Sequence, residues 1–212
     1  MNEQNDRPLS EMTLEELWKL FPITLTEHRE IWKTYYREAE AELWRALRDR
    51  RILCISHIGS TAIDGIRAKP IVDILLEILP EEDMSAVAQC IEACGYLRMS
   101  ESENRISFNK GYTPQGFAEK VYHLHLRYAG DHDEVYFRDY LNLFPAIAKK
   151  YETLKLALWP RFEHDRDGYT AAKTEFVQKY TAEGKRLLQV FDPPLPTAVG
   201  PENFEPFRKE RQ

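Results

Sequence analysis

The sequence predicts an α+β fold: a small sheet with helices against one face up to about residue 130, then a helical region. Three observations predict it. Two apolar stretches of strand length, Ile52–Ile58 and Ile71–Ile78, flank a Gly-Ser turn. The segments 71–78, 105–109 and 120–128 each alternate between an apolar face and a polar one. From Glu134 to Val190 the spacing of apolar residues turns helical.

The elements follow in order. Residues 1–22 read as an N-terminal arm, in which Leu14, Leu17, Trp18 and Phe21 suit one or two amphipathic turns. Thr26 is placed to cap a helix running to about Arg50, with Glu27 and Glu30 at the positive end of its dipole. Its expected buried positions include Ile31, Tyr35, Leu43 and Leu47, and Trp44 is assigned to core rather than to a base-stacking box. The strands Ile52–Ile58 and Ile71–Ile78 come next, then a helix from Met84 to Cys94 stopped by Gly95. Strand-like pieces lie at Tyr96–Met99, Arg105–Asn109 and Lys120–Tyr128. The helical pattern beyond is broken near Pro145 and across 160–168. Five prolines between Pro193 and Pro206 make the last segment an extended tail. The division is therefore an arm at 1–22, an α/β lobe at 23–130, a helical lobe at 131–190 and a Pro-rich tail at 191–212.

Composition narrows the function classes. Of 212 residues, 43% are hydrophobic and 30% charged, ordinary for a folded domain. A net charge of −6 argues against broad binding of nucleic acid or of anionic membranes. No apolar run approaches the roughly 18 residues of a membrane span, and Met1–Ser10 has no signal-peptide core. A cytoplasmic protein is expected, with Cys54, Cys90 and Cys94 as reduced thiols.

The polar strand faces carry the chemistry. One face of 71–78 holds Asp73, Leu75 and Glu77; one face of 120–128 holds His123, His125 and Arg127; Arg105, Ser107 and Asn109 alternate in the third strand. A merely solvated face favours Lys, Thr, Glu and Gln, whereas imidazoles beside carboxylates point to a binding cleft. Gly59 and Ser60 can cradle a phosphate, or form an ordinary tight turn. Lys69 can neutralise phosphate from the same loop, or face solvent. Asp73 requires a partner: a metal, a histidine, or an arginine such as Arg105 or Arg127. His123 and His125 can ligate one metal from one strand face, or hydrogen-bond a phosphate directly.

His57-Ile58-Gly59-Ser60-Thr61-Ala62 with Ala68-Lys69-Pro70-Ile71-Val72-Asp73-Ile74 closely resembles the signature of the GrpB family. His123-Leu124-His125-Leu126, Phe137-Arg138-Asp139-Tyr140-Leu141, Tyr151 with Leu154-Lys155, and Tyr169 through Lys173 to Phe176-Val177 match in order, so the resemblance covers about Phe21 to Val190. It implies a nucleotidyltransferase-like mixed sheet with helices on one face. In that superfamily a Gly-Ser turn precedes a strand with two acids one residue apart, and a third acid stands on a later strand. Together the acids hold two Mg²⁺ ions that promote attack of a hydroxyl on the α-phosphate.

Gly59 and Ser60 match the turn and Asp73 the first acid, but the second acid falls at Leu75. Glu77 lies about 6–7 Å further along the same face and is the substitute the pattern allows. The third-acid position goes to His123 or His125, which suit a transition metal better than Mg²⁺. The resemblance places triphosphate-binding cations on the helical lobe, implying Arg138, Lys155 and Lys173 beside Lys69 and Arg127; by spacing alone those three are equally halves of i,i+4 surface pairs. Three readings follow. The first is a nucleotidyltransferase-like enzyme using Asp73 and Glu77 with Mg²⁺ or Mn²⁺ on a nucleotide or phosphorylated small molecule. The second is a non-catalytic binder of such ligands, and the third a transition-metal enzyme on Asp73, His123 and His125.

Overall fold

The computed structural model describes residues 7–188. A five-stranded mixed sheet is built from β1 (Ile52–Ile58), β2 (Val72–Ile78), β3 (Leu97–Ser102), β4 (Arg105–Thr113) and β5 (Gly116–Tyr128), in the order β1-β2-β5-β4-β3. Only β2 and β5 run parallel; the other neighbours are antiparallel. A parallel pair requires a crossover. Here α3 (Met84–Ala93) carries the chain to the far edge, and the β3-β4-β5 meander returns it beside β2.

One face of the sheet is packed. Val72, Ile74, Leu76 and Ile78 alternate inward with Ile106, Phe108, Tyr122, Leu124 and Leu126. They meet Trp32, Ala39, Leu43 and Leu47 from α2 (Ile31–Ala46) and its end, and Val87 and Ile91 from α3. Each fully buried aliphatic side chain contributes about 1.5–3 kcal/mol, so strand register is strongly specified: a slip by one residue turns the whole set outward. Asp83 caps α3 by accepting from the Ser85 and Ala86 amides, and Gly95, at φ +82°, follows its end.

The start of α2 differs from the expectation. Thr26 caps nothing: its N–H donates to the Ala68 carbonyl and its carbonyl accepts from the Ala68 N–H. That two-sided bridge uses the backbone groups a helix would need, and the helix begins at Ile31. Its buried stripe runs through Trp32, Ala39 and Leu43. Ile31 and Trp44 each lie one position off that stripe, at 43% and 42% exposure, and are not core.

The helical region comprises α4 (Asp133–Leu143), α5 (Pro145–Phe162), α6 (Arg166–Ala171) and α7 (Thr174–Leu188). Ile63 and Ile66, from the loop joining β1 to β2, pack with Phe137, Leu141, Ala148 and Tyr151. The loop that carries the Gly-Ser turn is thus the seat of the helices. Ile23, Leu158 and Tyr169 form a further cluster that ties in the N-terminal segment. That segment contains α1 (Leu14–Leu20), closed by a Thr13–Glu16 capping box. Among the described residues no helix is long and apolar enough to cross a membrane. The Pro-rich segment 191–212 lies outside the described residues.

Candidate functional site

The second sheet face meets the helical region at the β1–β2 turn. β1 ends at Ile58, opposite Asp73 in the register, and Gly59 turns the chain at φ +71° into a single helical turn, Ser60–Ala62. A Cβ at Gly59 would lie 2.1 Å from Asp73 Oδ2, so the carboxylate rests directly on the glycine. Buried Thr61 donates its hydroxyl to the Ile71 carbonyl at 3.2 Å and meets His57 Nε2 at 3.0 Å, clamping the turn. His57 stacks on Tyr36 with centroids 4.8 Å apart, and burial pulls its pKa down to about 4. It anchors the loop as a neutral imidazole.

Three lysines converge on this turn. Lys69 lies over the Tyr169 ring at 5.6 Å from its centroid, and Lys173 at 4.2 Å. Lys155 is 2% exposed, donates to the Arg67 carbonyl and lies 4.9 Å from the Tyr151 centroid. Tyr151 in turn stands against Ser60. Salt bridges among the described residues engage other lysines, not these. Burial, then the neighbouring Lys173, pulls the pKa of Lys155 down to about 7. Burial and Lys69 pull Lys173 down to about 8. Lys69 is lowered by burial and by Arg166. Partly desolvated ammonium groups that repel one another, and that feel the charges of Asp73 and Glu152 only from beyond salt-bridge reach among the described residues, are stabilised by an added anion. The Tyr169 hydroxyl, buried in the same place, has no hydrogen-bond partner among the described residues.

Asp73 faces these cations from the sheet. Its Oδ1 is 3.2 Å from His123 Nδ1, and His123 Nε2 is 2.7 Å from the Tyr112 hydroxyl. Arg166 Nη1 donates to that hydroxyl at 3.2 Å, and Nη2 to the Phe21 carbonyl at 3.3 Å. Burial acts to raise the Asp73 carboxyl, but the His123 hydrogen bond and the charges of His123, His125 and Lys69 bring it below its ordinary value. The partner Asp73 requires is therefore a histidine; Arg105 pairs with Asp131 instead.

The structure thus brings together Gly59, Ser60, Lys69, Asp73, His123, Lys155 and Lys173. Other expected residues are engaged elsewhere. Glu77, 3% exposed, accepts from the Gly130 amide at 3.0 Å and from the Cys54 thiol at 3.1 Å, and pairs with His132 Nδ1 at 2.9 Å. Four residues along the strand, it sits roughly 13 Å from Asp73. Arg127 forks onto Glu134 at 2.7 and 2.8 Å beside it. Arg138 donates to the His57 carbonyl at 2.6 Å and to Asp139 at 2.7 Å, fastening α4 to β1.

His123 Nδ1 faces Asp73 at 3.2 Å and Nε2 meets the Tyr112 hydroxyl at 2.7 Å, so a metal ion on His123 would displace one of these contacts. Among the described residues, three potential ligand atoms lie within 4.8 Å of one another at His28, Glu30 and Asp64. There the Lys33 ammonium already pairs with Glu30 at 3.2 Å and Asp64 at 2.9 Å. His125 lies beside His123 on the strand face, aligned with Leu75 and Ser107, and burial lowers its pKa.

Two residues of the site, Tyr112 and Arg166, escape sequence reasoning. Strict alternation from Ile106 and Phe108 puts Tyr112 on the helix-covered face. A register shift between Lys110 and Tyr112 turns it over. Gly111, at φ +93° within the shift, was the available signal.

Residues 22–183 match the family model described as GrpB protein. The chain belongs to the GrpB family. This GrpB-family chain is 33% identical over 167 residues to the glutamate-rich protein GrpB of Alkalihalophilus pseudofirmus, covering 76% of this chain and 95% of that one. It is 38% identical over 144 residues to a UPF0157 protein of Pseudomonas aeruginosa, covering 66% of this chain and 59% of that one. In structure it resembles the conserved protein GrpB from Enterococcus faecalis, with a TM-score of 0.66 at 28% identity, covering 77% of this chain and 98% of that one.

Proposed function

We propose that the protein binds a nucleotide, or a related phosphorylated small molecule, by its phosphates in the cleft between the Gly59–Ser60 turn and the lysines of the helical region. One observation carries this reading: Lys69, Lys155 and Lys173 are gathered around one turn, and none of them has a salt-bridge partner among the described residues. Their geometry suits an extended polyanion, with the turn amides contributing fixed partial charge. A divalent ion, in this reading, arrives on the phosphates rather than residing in the protein. Leu75, fully buried where the resemblance expects a second acid, favours binding, or a transfer that does not use a protein-held pair of metals.

The test is a thermal-shift series on the full chain with ATP, GTP, diphosphate and triphosphate, each with Mg²⁺ or EDTA. A ligand at a hundred times its Kd stabilises by about 2.7 kcal/mol, a rise of roughly 5–10 °C for a chain of this size. The rise should disappear in Lys173→Met. No shift with any polyphosphate would overturn the reading.

A further inference from the structure

The Tyr112 hydroxyl occupies a position that phosphate binding alone does not require. We propose that Tyr112 is a nucleophile toward phosphorus, activated by the His123–Asp73 pair and by Arg166; that its donor is the phosphate ester or anhydride of the lysine cleft rests on the reading above.

The tautomer follows from charge: the Asp73 carboxylate, with Oδ1 3.2 Å from His123 Nδ1, favours the proton on Nδ1, which leaves the lone pair of the neutral ring on Nε2. Nε2, 2.7 Å from the Tyr112 oxygen, therefore accepts the phenolic proton. The same oxygen accepts from Arg166 Nη1 at 3.2 Å. A hydroxyl, a base in hydrogen-bond reach and a carboxylate orienting that base form the arrangement that activates a weak nucleophile. The guanidinium, held by the Phe21 carbonyl and 5.5 Å from the Tyr112 ring centroid, is placed to stabilise the developing phenolate. Burial keeps the phenol protonated at rest, which is why a base is needed. Tyr112 is only half-buried, and its ring is held edge-on by Phe21 at 4.8 Å and by Phe117 at 5.2 Å. Arg166 stands close enough to Lys69 for its charge to lower the lysine's pKa, which sets the Tyr112 hydroxyl beside the lysine cleft.

In the step itself, Tyr112 Oη forms a bond to phosphorus while the bond from phosphorus to the leaving oxygen breaks. With a nucleoside triphosphate attacked at its α-phosphorus, diphosphate departs with the electron pair. The phenolic proton passes to His123 Nε2, and the imidazolium is held by Asp73.

A dialkyl fluorophosphate tests the nucleophile without needing the natural ligand. Oη attacks phosphorus, fluoride leaves with its electron pair, and the adduct is mapped by peptide mass spectrometry of the full chain. Preferential labelling at Tyr112 is expected. It should be absent in Tyr112→Phe, which keeps the aromatic packing, and slowed about a hundredfold in His123→Gln. Labelling of Tyr112 no faster than of the exposed tyrosines in the wild-type protein overturns the inference, as does an unchanged rate in a folded His123→Gln. A labelled Tyr112 in a protein that shows no polyphosphate shift supports the nucleophile and overturns the phosphate reading instead.

Discussion

Gly59 is constrained twice, by a φ of +71° and by the Asp73 carboxylate on which it rests. Gly59→Ala is expected to destabilise the chain by about 1–3 kcal/mol, through backbone strain and the contact at 2.1 Å. The added methyl also pushes Asp73 away from His123. Urea unfolding and a polyphosphate titration on the same variant should therefore move together, and unchanged stability would mean that the turn relaxes freely. This residue is legible in sequence, because only glycine allows so close an approach after an apolar strand. Lys69, Lys155 and Lys173 are legible only as motif positions. Nothing in their spacing says that they meet at one turn, since their meeting depends on how α5, α6 and α7 fold back over it.

At the scale of elements, strand alternation allows the polar face to be read but not divided along its length. Asp73 and Glu77 share a face in the sequence. In the fold, Glu77 belongs to the opposite end of β2, where Cys54, Gly130 and His132 satisfy its carboxylate. Glu77→Gln is expected to lower stability by about 1–3 kcal/mol, because buried partners lose an acceptor. The polyphosphate-induced shift should be unchanged. A lost shift at unchanged stability would move Glu77 into the cleft. β4 shows the complementary limit: the bulge at Gly111 reverses alternation, and so the site gains Tyr112. The bridge between Thr26 and Ala68 likewise overrides a good capping sequence, because long-range backbone pairing competes with local propensity.

For the whole molecule, the lysine cluster couples proton binding to stability and, under the proposed phosphate binding, to affinity. Lys155 and Lys173 titrate near 7 and 8 when folded and have an ordinary value of 10.5. Between these values the unfolded chain holds more protons than the folded one, so the cluster's contribution to stability rises with pH from about 7 to 10.5. Bound phosphate favours the protonated amines, so affinity should fall as pH climbs through the same lower pKa values, with protons taken up on binding. Calorimetry in buffers of different ionisation enthalpy checks this; proton release, or an affinity flat from pH 6 to about 9, would contradict it.

The sequence by itself determined the α+β class, the strand faces, the Gly59–Ser60 turn with Asp73, and membership of the GrpB family. These follow from local periodicity and short motifs. Tertiary structure decided that Arg127 and Arg138 are spent on Glu134 and on a β1 carbonyl, while Arg166 and Tyr112 enter the site. The physical reason is that a charge or hydroxyl acquires its role from whatever it faces across the fold. Partners such as Asp73 with His123, or Lys69 with Lys173, are joined by strand pairing and helix packing that no local pattern encodes.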